Sequence, residues 1–155
     1  MITTEQLIKK YGKPTEQGTG YLIPISLPYP MKLAWDLNTK VTTIRCHRLV
    51  ADKLKEVFNE LLLVYGLPKI QELGLNIYGG CFNFRKMRGG NDYSRHSWGV
   101  AIDLHPEKNT LKMTYKQALF SKPEYAKMHE IFEKNGFENL GKVKGYDAMH
   151  WQIKE

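Results

Sequence analysis

The sequence predicts an α+β domain, a small antiparallel sheet flanked by helices, on three observations. Val50, Leu54, Val57, Leu61 and Val64 recur at steps of four and three residues, which puts them on one apolar helical stripe. Residues 75–78, 100–104 and 148–153 read as short strands. Helices and strands do not alternate in the regular β-α-β order of a parallel sheet.

Taken in order, Thr3 or Thr4 can cap a first helix to about Tyr11, which Gly12 and Pro14 stop. Pro24, Pro28 and Pro30 then fall among Tyr21, Leu22, Ile23, Tyr29 and Trp35. Proline at this density forbids a helix, so 18–40 is expected to be an irregular, partly extended wrap over the core. The apolar stripe defines the core helix, expected over 43–65, with Arg45, His47 and Arg48 solvated in its first turns and Gly66 and Pro68 ending it. Leu75–Tyr78 opens into Gly79-Gly80, and a glycine- and charge-rich loop follows at 85–93. A helix is expected from Pro123 to about Asn135, with Gly136 as its stop. The 155 residues suit one domain, divided into an N-terminal helix and wrap at 1–42 and a core at 43–155.

Composition is that of an ordinary globular chain, 42% hydrophobic and 25% charged. No run approaches the roughly 18 apolar residues of a membrane span. The opening Met1-Ile2-Thr3-Thr4-Glu5-Gln6 has no basic-then-apolar leader, so no secretory signal is expected. Cys46 and Cys81 lie far apart and are expected to be reduced, partly buried thiols, which excludes a four-cysteine zinc module. A net charge of +7 favours polyanionic partners or simple solubility, without choosing between them.

The chemistry concentrates in Ser94-Arg95-His96-Ser97-Trp98-Gly99-Val100-Ala101-Ile102-Asp103. On a strand, Val100, Ile102 and Leu104 share the core face, while Gly99, Ala101 and Asp103 share the other. Two minimal side chains are expected to leave an open floor beside the Asp103 carboxylate, with His96 reaching over it. Near the end, His150 alternates with Met149 and Trp151 and shares a face with Gln152. If this strand neighbours 100–104, His96, Asp103 and His150 make a three-ligand set with a position left open, the pattern of a catalytic zinc site. Spacing alone leaves a second reading, in which each is an ordinary hydrogen-bonded residue. Other signatures fail. His129-Glu130 would need histidine at 133 for a zinc helix, where Glu133 stands, so His129 is expected to be exposed. No deaminase P-C-x-x-C, phosphate loop or G-x-S-x-G elbow occurs.

Ser94-x-His96-x-x-Gly99-x-Ala101-x-Asp103 resembles the S-x-H-x-x-G-x-A-x-D motif of the zinc peptidases that comprise D-alanyl-D-alanine carboxypeptidases and L-alanyl-D-glutamate endopeptidases, including phage endolysins. Asp147-Ala148-Met149-His150-Trp151 resembles that family's closing D/E-x-x-H-W/F element, and Cys81–Gly90 resembles the loop that carries its substrate arginine. The resemblance spans about 75–153. It implies a Hedgehog- and DD-peptidase-like fold, Zn²⁺ held by His96, Asp103 and His150, and Asp147 as catalytic acid/base. It also implies a substrate-binding, catalytic arginine at Arg85, with Arg88 as the second choice. Ser94 stands near the substrate and orients the loop, or is simply a turn serine. Glu107 and Asn109 line the rim or form a turn. Gln152 stands where glutamate is also common and alters the polarity around His150.

The implied activity is hydrolysis of a stem-peptide amide in bacterial peptidoglycan. The leading expectation is a bacteriolytic L-alanyl-D-glutamate endopeptidase, monomeric, held in the producing cell until a partner's membrane lesion releases it. The alternatives are a D-alanyl-D-alanine carboxypeptidase or dipeptidase and, from another class, an inactive wall-binding module, against which the intact ligand set and Asp147 argue. A nucleic-acid partner is not expected, because no recognition helix or stacking motif is present.

Overall fold

The structure, a computed structural model, describes residues 2–155. Thr3 caps helix α1 (Thr4–Tyr11) as expected: its hydroxyl accepts from the Gln6 amide at 3.1 Å, and the Gln6 side chain accepts from Thr3 N at 2.7 Å. Leu7 and Tyr11 turn inward.

The region expected to be an irregular wrap is instead a long hairpin, β1 (Leu22–Leu33) and β2 (Asp36–His47), paired antiparallel. Proline did not forbid it for a local reason. Pro28 and Pro30 lie between Ser26 and Met31, where the register shifts, and β1 meets its other neighbour only at Lys32 and Leu33. These two prolines therefore sit where the ladder is interrupted, whereas Pro24 pairs in register with Arg45.

The core helix starts later than the stripe suggested. Buried Ile44 and Cys46 alternate with exposed Thr43 and Arg45, a strand period that carries β2 to His47. Helix α2 (Ala51–Tyr65) follows, with Leu54, Val57, Phe58 and Leu61 buried, while Val64 is exposed. Arg45 thus lies on a strand, and His47, expected in solvent, is fully buried. The boundary expected at 42–43 falls inside β2. Pro68 does more than end α2: it sits in the first turn of α3 (Leu67–Leu73).

Strand β3 (Ile77–Gly80) precedes the loop, and β4 (Ala101–Leu104) follows it. A 3-10 turn at Pro123–Tyr125 leads into α4 (Ala126–Lys134). Like α3, β5 (Phe137–Asn139) and the short α5 (Leu140–Lys144) were unforeseen, and they precede the last strand β6 (His150–Ile153). One sheet results, ordered β2-β1-β3-β4-β6-β5, antiparallel except at β1–β3. This is an α+β architecture.

The core beneath the sheet's site end is aromatic. Trp151 stacks on Phe132 with centroids 4.0 Å apart, and His129 packs 4.8 Å from Trp151. His129 is therefore buried, not exposed: its Nε2–H donates to Phe120 O at 2.8 Å, because the segment before α4 covers that face of the helix. Cys46 and Cys81 are free, buried thiols, and burial pushes the Cys46 pKa up to about 12. Among the described residues no helix is long and apolar enough to cross a membrane.

His47 gives this core a pH dependence. Its Nε2–H donates to Tyr11 O at 2.8 Å and its Nδ1 accepts from Leu49 N at 3.1 Å, so the neutral ring is satisfied at both nitrogens. Burial, aided by Arg48 and opposed by the Tyr11 carbonyl, lowers its pKa. A histidine neutral in the fold stabilises fully above its unfolded pKa of about 6.5, and that contribution is lost as pH falls toward the folded value. Thermal unfolding should therefore shift downward between about pH 7 and about pH 5, and His47→Gln, less stable at neutral pH, should show a shallower decline. Equal slopes in the two proteins would remove His47 from the acid response.

Candidate metal centre

Each predicted ligand is placed by a separate local device. His96 sits in a 3-10 turn (Arg95–Trp98) that Ser94 caps: the buried Ser94 Oγ accepts from His96 N at 3.2 Å. This hydrogen bond fits both the loop-orienting and the turn-serine readings of Ser94, which also lines the cleft. His96 Nδ1 lies 2.8 Å from Cys81 O. A carbonyl only accepts, so Nδ1 carries the proton and Nε2 presents a lone pair. Asp103 on β4 and His150 on β6 face each other in register.

The result is three donor groups converging on one point. His96 Nε2 lies 3.2 Å from Asp103 Oδ2, and His150 Nδ1 lies 3.4 Å from Asp103 Oδ1. One ligand atom from each of the three residues falls within 4.8 Å of the others. His96 Nε2 and Asp103 Oδ1 are buried without any hydrogen-bond partner. In the neutral ring that lone pair faces a carboxylate in the dry interior, which calls for a cation between them, either a second ring proton or a metal ion.

The electrostatics agree. Burial opposes ionisation of Asp103, but the two histidines outweigh it and hold the carboxyl well below its usual range. Burial likewise disfavours charged His96, yet Asp103 and the Cys81 carbonyl raise its pKa. The centre stabilises positive charge. Two imidazoles and a carboxylate are zinc ligands in both type and number, so the residues fit that ion.

The floor beside Asp103 differs from expectation. Gly99 is not an open position: it has φ 69°, and a Cβ there would lie 3.0 Å from His47 N and 2.7 Å from Leu22 Cδ2. It is glycine because β2 packs against it in a left-handed turn. Ala101 is buried. A Cβ on Gly79 would sit 3.0 Å from both Asp103 Cβ and the Asp103 backbone oxygen, and a Cβ on Gly80 would meet only open space.

Asp103, Asp147 and His150 open into a cleft of about 1330 Å³, which Arg85, Arg88 and Arg95 also line. Asp147 holds φ 65°, a left-handed conformation that aspartate tolerates better than most residues, and its Oδ2 lies 4.0 Å from His150 Nδ1. Burial raises its pKa, Asp103 adds to this, and His150, His96 and Arg85 oppose it. Arg85 is half-buried, with its backbone tied to Ser97: Arg85 N donates to Ser97 Oγ at 3.0 Å, and that hydroxyl donates to Arg85 O at 2.7 Å. Arg88 is exposed at the rim. Asn109 is structural, donating to His105 O and accepting from Phe120 N. Glu107 lines a side hollow next to the cleft. Sequence reasoning missed Arg95 and Glu138, because only the fold brings them to this cleft.

Fold and site together define a candidate metal centre of two histidines and a carboxylate at the edge of a cleft. Residues 88–153 match the peptidase family described as D-alanyl-D-alanine carboxypeptidase, a span that includes His96, Asp103, Asp147 and His150 and excludes Arg85. The match supports a peptidoglycan-related peptidase. No curated protein and no solved structure matches the chain.

One zinc per chain is the expected stoichiometry in metal analysis of the purified protein. His96→Ala and His150→Ala should each abolish it, and zinc should raise the thermal midpoint of the wild-type chain alone. Metal retained by both variants would place the ion elsewhere.

Proposed function

We propose that the protein is a zinc-dependent peptidoglycan peptidase, acting as an L-alanyl-D-glutamate endopeptidase of the endolysin type. The observation that supports it best is the buried, unpartnered pair His96 Nε2 and Asp103 Oδ1, with His150 Nδ1 converging on the same point. His96, Asp103 and His150 would hold the ion. When bound, zinc supplies Lewis acidity, which acidifies water and polarises a carbonyl.

The remaining work falls to the chain's own side chains. Asp147 takes the proton of the attacking water and delivers it to the leaving amine nitrogen as the amide C–N bond breaks. Its pKa, raised first by burial, suits a group that must hold a proton between those steps. Arg85, its backbone fixed by Ser97, binds a substrate carboxylate or the developing oxyanion. Arg88, on the exposed turn, contributes less.

The endopeptidase reading is supported by the size of the cleft, about 1330 Å³, which can take an extended peptide. The matched family's description favours the second reading, a D-alanyl-D-alanine carboxypeptidase. Digestion of purified peptidoglycan followed by mass spectrometry separates them: new amino-terminal D-glutamate or D-isoglutamine ends mark the first, and free D-alanine without such ends marks the second. Release through a partner's membrane lesion belongs to the endolysin reading and stands or falls with it.

Asp147→Asn should retain zinc and lose about 10²–10⁴-fold in kcat, the usual contribution of a general acid–base group. Near-normal turnover would make Glu107 the next candidate. Arg85→Ala should cost about 2–5 kcal/mol in kcat/KM without displacing zinc, and Arg88→Ala less. The opposite order would transfer the substrate role to Arg88.

A further inference from the structure

His150 must present Nδ1, not Nε2, to the centre, and a lone pair there requires the ring proton to sit on the far nitrogen. We propose that Glu138 is a positioning residue for His150, acting through the side-chain amide of Gln152; the inference rests on the zinc reading of the site. His150 Nε2 lies 2.9 Å from Gln152 Oε1, and Gln152 Nε2 donates to Glu138 Oε1 at 3.4 Å. An ionised carboxylate only accepts hydrogen bonds, so Glu138 selects the amide orientation that turns the NH₂ toward itself. The amide oxygen is left facing His150, and an oxygen takes only an N–H. The proton is held on Nε2, and the Nδ1 lone pair is aimed at Asp103 Oδ1, 3.4 Å away.

Rotating the amide by half a turn reverses every role. Its NH₂ would then need a lone pair on Nε2, and the proton would move to Nδ1, between the ring and Asp103. Metal could enter only by displacing it. The orientation of one amide thus decides whether His150 is ready to ligate.

Strand register assembles the three groups. Glu138 pairs with Gln152 across β5–β6, and Gln152 pairs with Ala101 across β6–β4. Gln152 and His150 share a face two residues apart, as alternate positions on a strand must. Glu138 makes no ion pair among the described residues, is partly exposed, and lines the same cleft as His150. Its hydrogen bond to Gln152 is the polar contact that its carboxylate makes.

The test has a metal-free arm and a metal arm. In the apo protein, above the histidine titration range, the imidazole nitrogen NMR shifts of His150 should report an Nε2–H ring. Glu138→Ala should convert this to a mixture or to Nδ1–H, and should weaken zinc about 10- to 100-fold in competition with a chromophoric chelator. The double swap E138Q/Q152E keeps both side-chain shapes and exchanges the amide and the acid. The carboxylate, moved to β6, accepts from His150, and the amide, moved to β5, donates to that carboxylate. The swap should restore both the tautomer and the affinity, which a merely structural role for Glu138 would not do, and it carries the test even if the alanine variant fails to fold. Glu138→Ala with an unchanged tautomer and unchanged zinc affinity, or a folded swap that restores neither, overturns the proposal. A wild-type chain that binds no zinc while the tautomer responds as expected would instead remove the metal reading and leave the positioning intact.

Discussion

The pairing of Asp103 with His150 across β4 and β6 is the contact on which the site depends. Because side chains alternate on a strand, a slip of one residue in β6 would turn His150 to the core and bring Trp151 to the cleft. The core prevents the slip. Trp151 is fully buried and stacked on Phe132, and its neighbours Phe120 and His129 close around it. Apolar packing on one face of the strand therefore fixes polar geometry on the other.

His96, the third member of the candidate set, arrives by a different route. His96 is held by backbone, through the Cys81 carbonyl at its ring and the Ser94 hydroxyl at its amide. Cys81 is itself anchored, its thiol reaching Gly99 O at 3.6 Å, and Gly99 O accepts from His47 N at 2.9 Å. The turn carrying His96 thus hangs from β2, the strand whose buried Cys46 and His47 pack beneath it. The hairpin β1–β2 is remote from the cleft in sequence, and it supports the centre by burying this turn.

Polar groups left without partners in a buried place are costly, and His96 Nε2 and Asp103 Oδ1 are two such atoms at the same point. The left-handed backbone of Asp147 is a second local cost at the same place. Elsewhere the buried ring of His47 is neutral and bonded at both nitrogens.

Several features needed only the sequence. The capped first helix, the apolar stripe of α2 and the α+β class follow from local periodicity and turn chemistry, which act over a few residues. His96, Asp103, Asp147 and His150 could be named because their spacing and neighbours form local patterns. Other features depended on contacts between distant residues. Pro28 and Pro30 of β1 are tolerated because the sheet leaves their ladder interrupted, and Gly99 is needed because β2 packs on it, neither of which a local rule can see. His47 and His129 are buried because distant segments cover them. Glu138 meets Gln152, the neighbour of His150, only through the pairing of a strand too short to be read from its own residues. Local propensity names the chemistry of single side chains, whereas register and packing decide which atoms of those side chains face one another.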